Sequence, residues 1–199
     1  MRSKAHLAVG MAAAMTVLMP ETAGEAIPVV FGAASGCVIC DIDAEGASDK
    51  IDASRGRILC VIIAGLALLI DYLRDAEFLR TAMIHWPYLW FAGLAGFLVT
   101  CAFASVSSHR GFSHSLIAMA LETGSLWLMF PGAAAPFAIA FATHILLDLL
   151  NKRPVRLLYP LKKGVCFRLF YADRLADKIF AAAGIIWLII VIYRCAAVS

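Results

Sequence analysis

Hydrophobic residues fall into seven long runs that are separated by polar segments. The runs cover residues 5–19, 27–40, 58–73, 88–106, 115–130, 133–150 and 179–193. Several approach the ~20 residues that a helix needs to cross a bilayer, whereas the first two hold only about 15 each. Proline lies at run boundaries, where it interrupts a helix at least cost. The pattern predicts an all-α transmembrane bundle of about seven helices, the first two short enough to form a tilted hairpin that does not cross fully.

The composition favours a membrane protein over the soluble classes. Hydrophobic residues make up 62% of the 199 residues, and charged residues only 16%. A soluble domain is about half apolar and about a quarter charged. A soluble domain of this size also has too high a surface-to-volume ratio to bury so much apolar surface. We therefore expect a single membrane-embedded domain over residues 1–199, and not a soluble enzyme, a disordered chain or a coiled coil.

The distribution of positive charge predicts the orientation of the bundle. If the N-terminus is cytoplasmic and all seven runs cross, 14 of the 17 Lys and Arg residues lie in cytoplasmic segments and 3 in external ones. Cytoplasmic loops are enriched in these residues, and removing the first two runs together leaves the result unchanged. The N-terminus is therefore predicted to be cytoplasmic. Segment 151–178 is predicted to be a basic cytoplasmic loop touching anionic lipid headgroups. It lacks a recognisable nucleic-acid-binding module, so membrane lipids and not nucleic acids are the expected partners.

Two local features have less specific interpretations. The basic start of the chain and the apolar run after it also fit a signal peptide, although His6 at the head of that run is not typical of one. Cys37 and Cys40 have the C-x-x-C spacing, but a second such pair or a thioredoxin-like context is missing. We expect these cysteines to be buried helix thiols, with redox or metal chemistry as the alternative.

Ionisable residues collect at the predicted cytoplasmic ends of the runs. Because ionisable residues in membrane segments usually mark function, we expect a site there. The set comprises four histidines and three aspartates, all on the same predicted side: His6, Asp41, Asp43, His109, His114, His144 and Asp148.

The spacing of these residues favours metal binding. His144 and Asp148 are four residues apart, so they share one helix face and can reach the same ion. Asp41 and Asp43 are two apart, which suits a turning segment. Seven potential ligands exceed the four of a tetrahedral site, so the count fits one or two ions. Nitrogen and oxygen ligands without thiolate suit a divalent transition metal such as zinc or manganese.

The segment between the fourth and fifth runs holds two of these histidines. His109 and His114 are five residues apart, a poor spacing for one helix face. Gly111 permits a bend that turns both rings inward, and Ser113 suits the N-cap of the following helix. Arg110 lies beside them, and its guanidinium suits a phosphate or carboxylate group of a substrate. A purely topological charge, or an ion pair with one of the aspartates, is the alternative role for Arg110.

Several short motifs occur in a characteristic order along the chain. They are His6, Gly36 with Asp41-Ile42-Asp43, His109-Arg110-Gly111-Phe112-Ser113-His114-Ser115, His144-x-x-x-Asp148 and Leu157-Leu158-Tyr159-Pro160. This order resembles the YdjM-type family of inner-membrane metal-dependent hydrolases, some of which are described as LexA-regulated. The resemblance covers roughly residues 1–180, and it implies a multi-pass protein of the bacterial inner membrane with the seven His and Asp residues as metal ligands. The chain departs from the family at Cys40, a position that is often proline, and the late acidic residue of many members has two candidates, Asp173 and Asp177.

These observations together predict a membrane-bound metal-dependent hydrolase with its metal site at the cytoplasmic face. The location and charge of the site favour a phosphoester or lipid-phosphate substrate, although the sequence does not identify it. Asp43 is the candidate base and Arg110 the candidate substrate anchor. A metal or ion transporter is one alternative, but it needs ligands near the membrane midplane, where Glu122 is the main ionisable residue. A non-catalytic protein whose metal joins the helices is the other.

Overall fold

The described part of the chain is mainly helical. The computed structural model describes residues 2–84, 87–169 and 174–198. Two 3-10 turns, Cys40–Asp43 and Phe112–His114, carry site residues. An all-α membrane bundle, as the sequence predicts, is confirmed. The described residues form eight α-helices: α1 Ser3–Leu18, α2 Ala23–Ile39, α3 Ala47–Arg74, α4 Phe78–Ile84, α5 Pro87–Val106, α6 Leu116–Met129, α7 Pro131–Leu149 and α8 Arg174–Val198.

Seven of these helices match the seven apolar runs, and α4 is an additional short helix. Five are long and apolar enough to span a membrane, namely α2 with its following turn, α3, α5, α7 and α8. The helix α2 is longer than its run because it begins at Ala23, where the Thr22 side chain accepts a hydrogen bond from the Glu25 amide at 3.2 Å. The shorter apolar helices are α1 with 16 residues and α6 with 14.

The helices α2 and α7 pack closely enough to set the geometry of the site. A Cβ atom at Gly36 would lie 2.3 Å from the carbonyl oxygen of Phe137, so only glycine permits this approach. Small residues allow such contacts between helices in lipid. His144 follows Phe137 by two helical turns, so it lies on the same face of α7. The close approach therefore directs His144 towards the end of α2.

Two carboxylates hold the beginning of α1. The Ser3 amide donates to Asp52 Oδ2 of α3 at 2.7 Å, and the Arg2 amide donates to Asp177 Oδ1 of α8 at 3.1 Å. The first amides of a helix lack partners within the helix, and negative charge is favoured there. These contacts fix α1 between α3 and α8, and His6 lies one turn further along it.

The segment between α7 and α8 folds back against the turn before α6. Val155 and Val165 form an antiparallel bridge with two hydrogen bonds of 2.9 Å. The Arg156 amide donates to the Arg110 carbonyl at 3.1 Å, and the Leu116 amide donates to the Leu157 carbonyl at 3.0 Å. The described part of the predicted basic loop is thus attached to the segment that carries His109 and His114.

Candidate metal centre

Five of the seven predicted ligands meet at one end of the bundle. They form two overlapping groups, in each of which the potential ligand atoms lie within 4.8 Å of one another. The first group is His6, His144 and Asp148, and the second is Asp41, His114 and His144. They come from α1, the turn after α2, the turn before α6, and α7. Residues that are up to 142 positions apart in the chain are therefore brought together, as their shared side of the membrane predicts.

The backbone of α2 fixes the orientation of His144. Its Nδ1 lies 2.7 Å from the carbonyl oxygen of Cys37. A carbonyl oxygen only accepts hydrogen bonds, so Nδ1 carries the proton and the neutral ring keeps its lone pair on Nε2. That Nε2 atom is buried, and it has no hydrogen-bond partner within the described residues. It lies 3.7 Å from Asp41 Oδ1.

A hydrogen bond to Ser113 fixes the orientation and the protonated nitrogen of the His114 ring. The Ser113 hydroxyl donates to Asp43 Oδ2, because a carboxylate only accepts. The Ser113 oxygen is then left to accept from His114 Nδ1 at 2.8 Å. The lone pair of His114 therefore lies on Nε2, which is 3.4 Å from Asp148 Oδ2 and 3.9 Å from Asp41 Oδ1. Like that of His144, this Nε2 atom is buried without a hydrogen bond in the part of the chain described.

His6 completes the arrangement from the opposite side. Its ring stacks on that of His144 with centroids 3.8 Å apart and planes 13° apart. Its Nε2 lies 3.7 Å from Asp148 Oδ1, too far for a hydrogen bond. Three buried imidazoles thus lie close to the carboxylates of Asp41 and Asp148, and the Nε2 atoms of His114 and His144 are among the buried atoms without a hydrogen-bond partner in the described residues. A buried polar atom without a partner costs about 1–3 kcal/mol, and a cation placed among these atoms would satisfy several of them together.

The spacing is compatible with a single cation. Ligand atoms around one ion with bonds of about 2.1 Å are separated by about 3.0–4.2 Å. The four separations given above fall between 3.4 and 3.9 Å. Both groups also use His144, which has a single free lone pair because its Nδ1 is bonded to Cys37. The two groups therefore overlap at the His144 Nε2 atom, and together they contain three imidazoles and two carboxylates.

Asp43 and His109 lie beside this centre and bond to each other. Asp43 Oδ1 lies 2.9 Å from His109 Nδ1, and its Oδ2 accepts from the Arg110 amide at 3.1 Å as well as from Ser113. Burial alone lowers the pKa of His109, but the hydrogen bond and charge of Asp43 outweigh it and hold this pKa above its usual value. Neither residue belongs to the two groups of potential ligands. Their hydrogen bonds join them to each other and to the turn before α6.

Arg110 is paired with one of the candidate ligands. Its Nη2 lies 2.9 Å from Asp148 Oδ1, and its Nη1 donates to the Arg153 carbonyl at 2.9 Å. The side chain is mostly buried. This geometry matches the alternative role for Arg110, an ion pair with an aspartate. The guanidinium orients Asp148 and also attaches the loop after α7 to the site.

The turn before α6 differs from its predicted form in two details. Arg110 has a φ of 60°, so the left-handed residue of the bend is Arg110 and not Gly111. A Cβ at Gly111 would lie 2.5 Å from the Ser108 carbonyl oxygen, which explains the glycine there. The expectation that Ser113 caps α6 is wrong, because the cap is Ser115, whose side chain accepts from the Ala118 amide at 3.1 Å. Ser113 is thereby free to bridge Asp43 and His114.

The centre opens to solvent beside Asp41. The Asp41 side chain is 16% exposed and that of His109 is 19% exposed, while the other four potential ligands are almost completely buried. Exposed Glu45 lies at the same edge, where it accepts from the His109 amide at 3.3 Å. The partly exposed edge of the centre therefore lies at Asp41 and His109.

Some contributors to the site were not predicted from the sequence. The Cys37 carbonyl is a backbone group, so no residue pattern could have indicated it. Ser113 lies within the motif between the two histidines, and this position was its only signal. Asp177 holds the start of α1 and does not contact the centre through any described bond, whereas Asp173 lies outside the described residues.

Comparison with known proteins agrees with the motifs. The chain matches the family described as YdjM inner membrane protein over residues 1–199. No curated protein and no solved structure matches it. Because the match covers the whole sequence, the chain belongs to this family of inner membrane proteins, and its fold brings together two groups of potential metal ligands.

Proposed function

We propose that this member of the YdjM inner membrane protein family is a metal-dependent hydrolase of the bacterial inner membrane. The convergence of two buried Nε2 lone pairs, of His114 and His144, on the carboxylates of Asp41 and Asp148 carries the proposal. Both lone pairs are fixed by hydrogen bonds on the far side of the rings, which is how proteins orient histidine ligands of metals.

The residues present fit one divalent transition metal. His6, Asp41, His114, His144 and Asp148 would hold it, with zinc and manganese the ions that best suit three imidazoles and two carboxylates. Such an ion supplies Lewis acidity towards a scissile oxygen and acidifies a water molecule. The partial exposure of Asp41 leaves a side from which water and substrate could approach.

His109, oriented by Asp43, would act as the general acid or base of the hydrolysis. Asp43 holds the His109 ring through Nδ1, so the other ring nitrogen is available at the exposed edge. A carboxylate-oriented histidine is a common general acid or base. Asp43 itself is surrounded by donors from His109, Arg110 and Ser113, which favours an orienting role over direct proton removal.

A phosphoester, including a lipid phosphate, is the substrate class we favour. The centre lies at the end of the bundle that also carries the basic segment after α7, where anionic headgroups would lie. Arg110 already neutralises Asp148, so we expect other groups to meet the substrate charge. His109, at the opening and with a raised pKa, is the nearest candidate.

A structural metal is the second candidate function. The burial of four of the five ligands favours it, because a closed site suits an ion that only joins helices. The two functions differ in what the residues outside the five-ligand set would do. In a structural site, Asp43 and His109 matter only for stability, whereas in a hydrolase they are needed for turnover.

Elemental analysis of the detergent-purified protein tests the metal. We expect one equivalent in the wild type, its loss in His144→Ala and Asp41→Asn, and its retention in His109→Ala. The His109 variant is the matched control, since it removes a neighbouring histidine outside the five. Two equivalents in the wild type, or loss in all variants alike, would contradict the one-ion centre.

Hydrolysis assays on the same preparations then separate the two functions. The metal-loaded wild type would be screened against phosphomonoesters, phosphodiesters and lipid phosphates. We expect His109→Ala to keep the metal and lose most turnover. Absence of hydrolysis of every substrate class by a protein that carries its metal would favour the structural role.

A further inference from the structure

A cavity between α1 and α3 is lined by cationic residues from both helices. Its volume is about 160 Å³. Arg2, Lys4 and Arg55 surround it, while Leu7, Gly56 and Leu59 provide an apolar wall. The close approach of the two helices depends on Gly56, since a Cβ there would lie 2.5 Å from Ser3. The cavity thus combines three cations with an apolar wall. This combination is complementary to the anionic headgroup of a lipid and to the first part of its acyl chain.

The charges around this cavity are poorly compensated. The lining has three cations against one carboxylate, Asp52, whose Oδ2 accepts two hydrogen bonds from Ser3 at 2.7 and 3.1 Å. Arg2 is paired with Asp177 on the side of α8. Over the described residues, neither Lys4 nor Arg55 makes an ion pair. The cavity therefore favours an anion, and two cations are available to bind it.

The cavity lies where the headgroups of the bilayer would be. With 28 residues, α3 is about 42 Å long, which exceeds the ~30 Å of the hydrocarbon core by about eight residues. Charged residues crowd its first eleven positions, up to Arg57, and apolar residues follow from Ile58 to Ile70. The surplus length thus belongs mainly to the start of the helix. Arg55 falls at the boundary, and exposed Leu59 follows one turn deeper.

We propose that this cavity binds the phosphate group of an anionic phospholipid from the cytoplasmic leaflet, held by Lys4 and Arg55 with its acyl chain along Leu59. The site is separate from the metal centre and does not depend on the proposed hydrolysis. Free inorganic phosphate offers the same anionic chemistry without the chain. The apolar wall and the position at the hydrocarbon boundary favour the lipid.

Native mass spectrometry of the full-length protein, released from detergent with dioleoylphosphatidylglycerol, tests this proposal. We expect the wild type to retain this lipid in preference to dioleoylphosphatidylcholine. A cation near an anionic surface contributes about fivefold in affinity, so Lys4→Gln/Arg55→Gln would bind the anionic lipid about 25-fold more weakly.

The matched control is Lys50→Gln/Arg57→Gln, which removes the same charge from exposed positions of α3 outside the cavity. We expect it to bind like the wild type. Equal weakening of both double variants would overturn the proposal in favour of general surface charge. Equal retention of the two lipids would overturn it too, and inorganic phosphate that displaces the anionic lipid at equal concentration would overturn the lipid assignment. Circular dichroism and gel-filtration profiles of all variants show that the fold is retained.

Discussion

Ser113→Ala is the substitution that most directly tests how the metal centre is oriented. The Ser113 hydroxyl accepts from His114 Nδ1 and donates to Asp43. Alanine removes this bridge without removing a ligand. Asp43 keeps its bonds to His109 and to the amide of Arg110, so the main loss falls on His114.

The expected magnitude follows from the protonation of the His114 ring. Without the serine, metal binding requires a buried Nδ1–H that has lost its partner, which costs about 1–3 kcal/mol. That cost corresponds to a metal affinity lower by about 5- to 150-fold. It agrees with the 10- to 100-fold losses that are typical when the hydrogen-bond partner of a metal ligand is removed.

The assay is competition for zinc between the detergent-purified protein and a chromophoric chelator at fixed pH. Ser115→Ala is the matched control, because Ser115 is an equally buried serine two positions away whose hydroxyl bonds to the Phe112 carbonyl and to the Ala118 amide at the start of α6. Losing that cap costs about 1 kcal/mol of stability, with zinc affinity near the wild-type value. Wild-type zinc affinity in Ser113→Ala, or equal losses in the two variants, would refute the role of Ser113 in orienting His114.

Three further outcomes test the surroundings of the centre. Arg110→Gln removes the ion pair between the guanidinium and the buried Asp148 carboxylate, so we expect a loss of about 3–5 kcal/mol in unfolding free energy. We expect that Arg110→Lys does not restore it, and denaturation in detergent micelles measures the loss. Gly36→Ala forces α2 away from α7 and should cost about 1–3 kcal/mol, whereas Gly124→Ala, whose Cβ meets nothing within 4 Å, should be neutral or stabilising in the same assay. Because the pKa of His109 is raised in the fold, its contribution to stability is present below its ordinary pKa and is lost as the pH rises through the raised value. The melting temperature of the metal-free wild type should therefore fall as the pH rises through this range, and His109→Gln should lack this fall. The same dependence of melting temperature on pH in both proteins would contradict the assignment.

Much of the fold could be predicted from the sequence because membrane helices leave a direct signal. A segment that crosses lipid must satisfy its backbone internally and present apolar side chains, so its length and position appear in the hydrophobic pattern. Seven of the eight described helices were predicted in this way. The helix α4 was missed because seven residues between two long helices are too few to show a period. The start of α2 was displaced because the Thr22 cap lies before its apolar run.

The sequence by itself also determined which residues could take part in the site, because ionisable side chains in a membrane protein are few. It could not decide how they divide between binding and support. Asp41 and Asp43 are two residues apart, yet the turn at Cys40–Asp43 sends Asp41 to the histidines and Asp43 to His109 and Ser113.

Only the tertiary structure decided that division, since it depends on distances between helices far apart in the chain. The glycine-mediated contact of α2 with α7 brings the Cys37 carbonyl to His144 and so fixes its lone pair. The fold likewise pairs Arg110 with Asp148, and it gives the two groups of ligands a shared histidine. A sequence pattern records residue types and spacing, whereas the direction of a lone pair is set by which groups the fold places on each side of a ring.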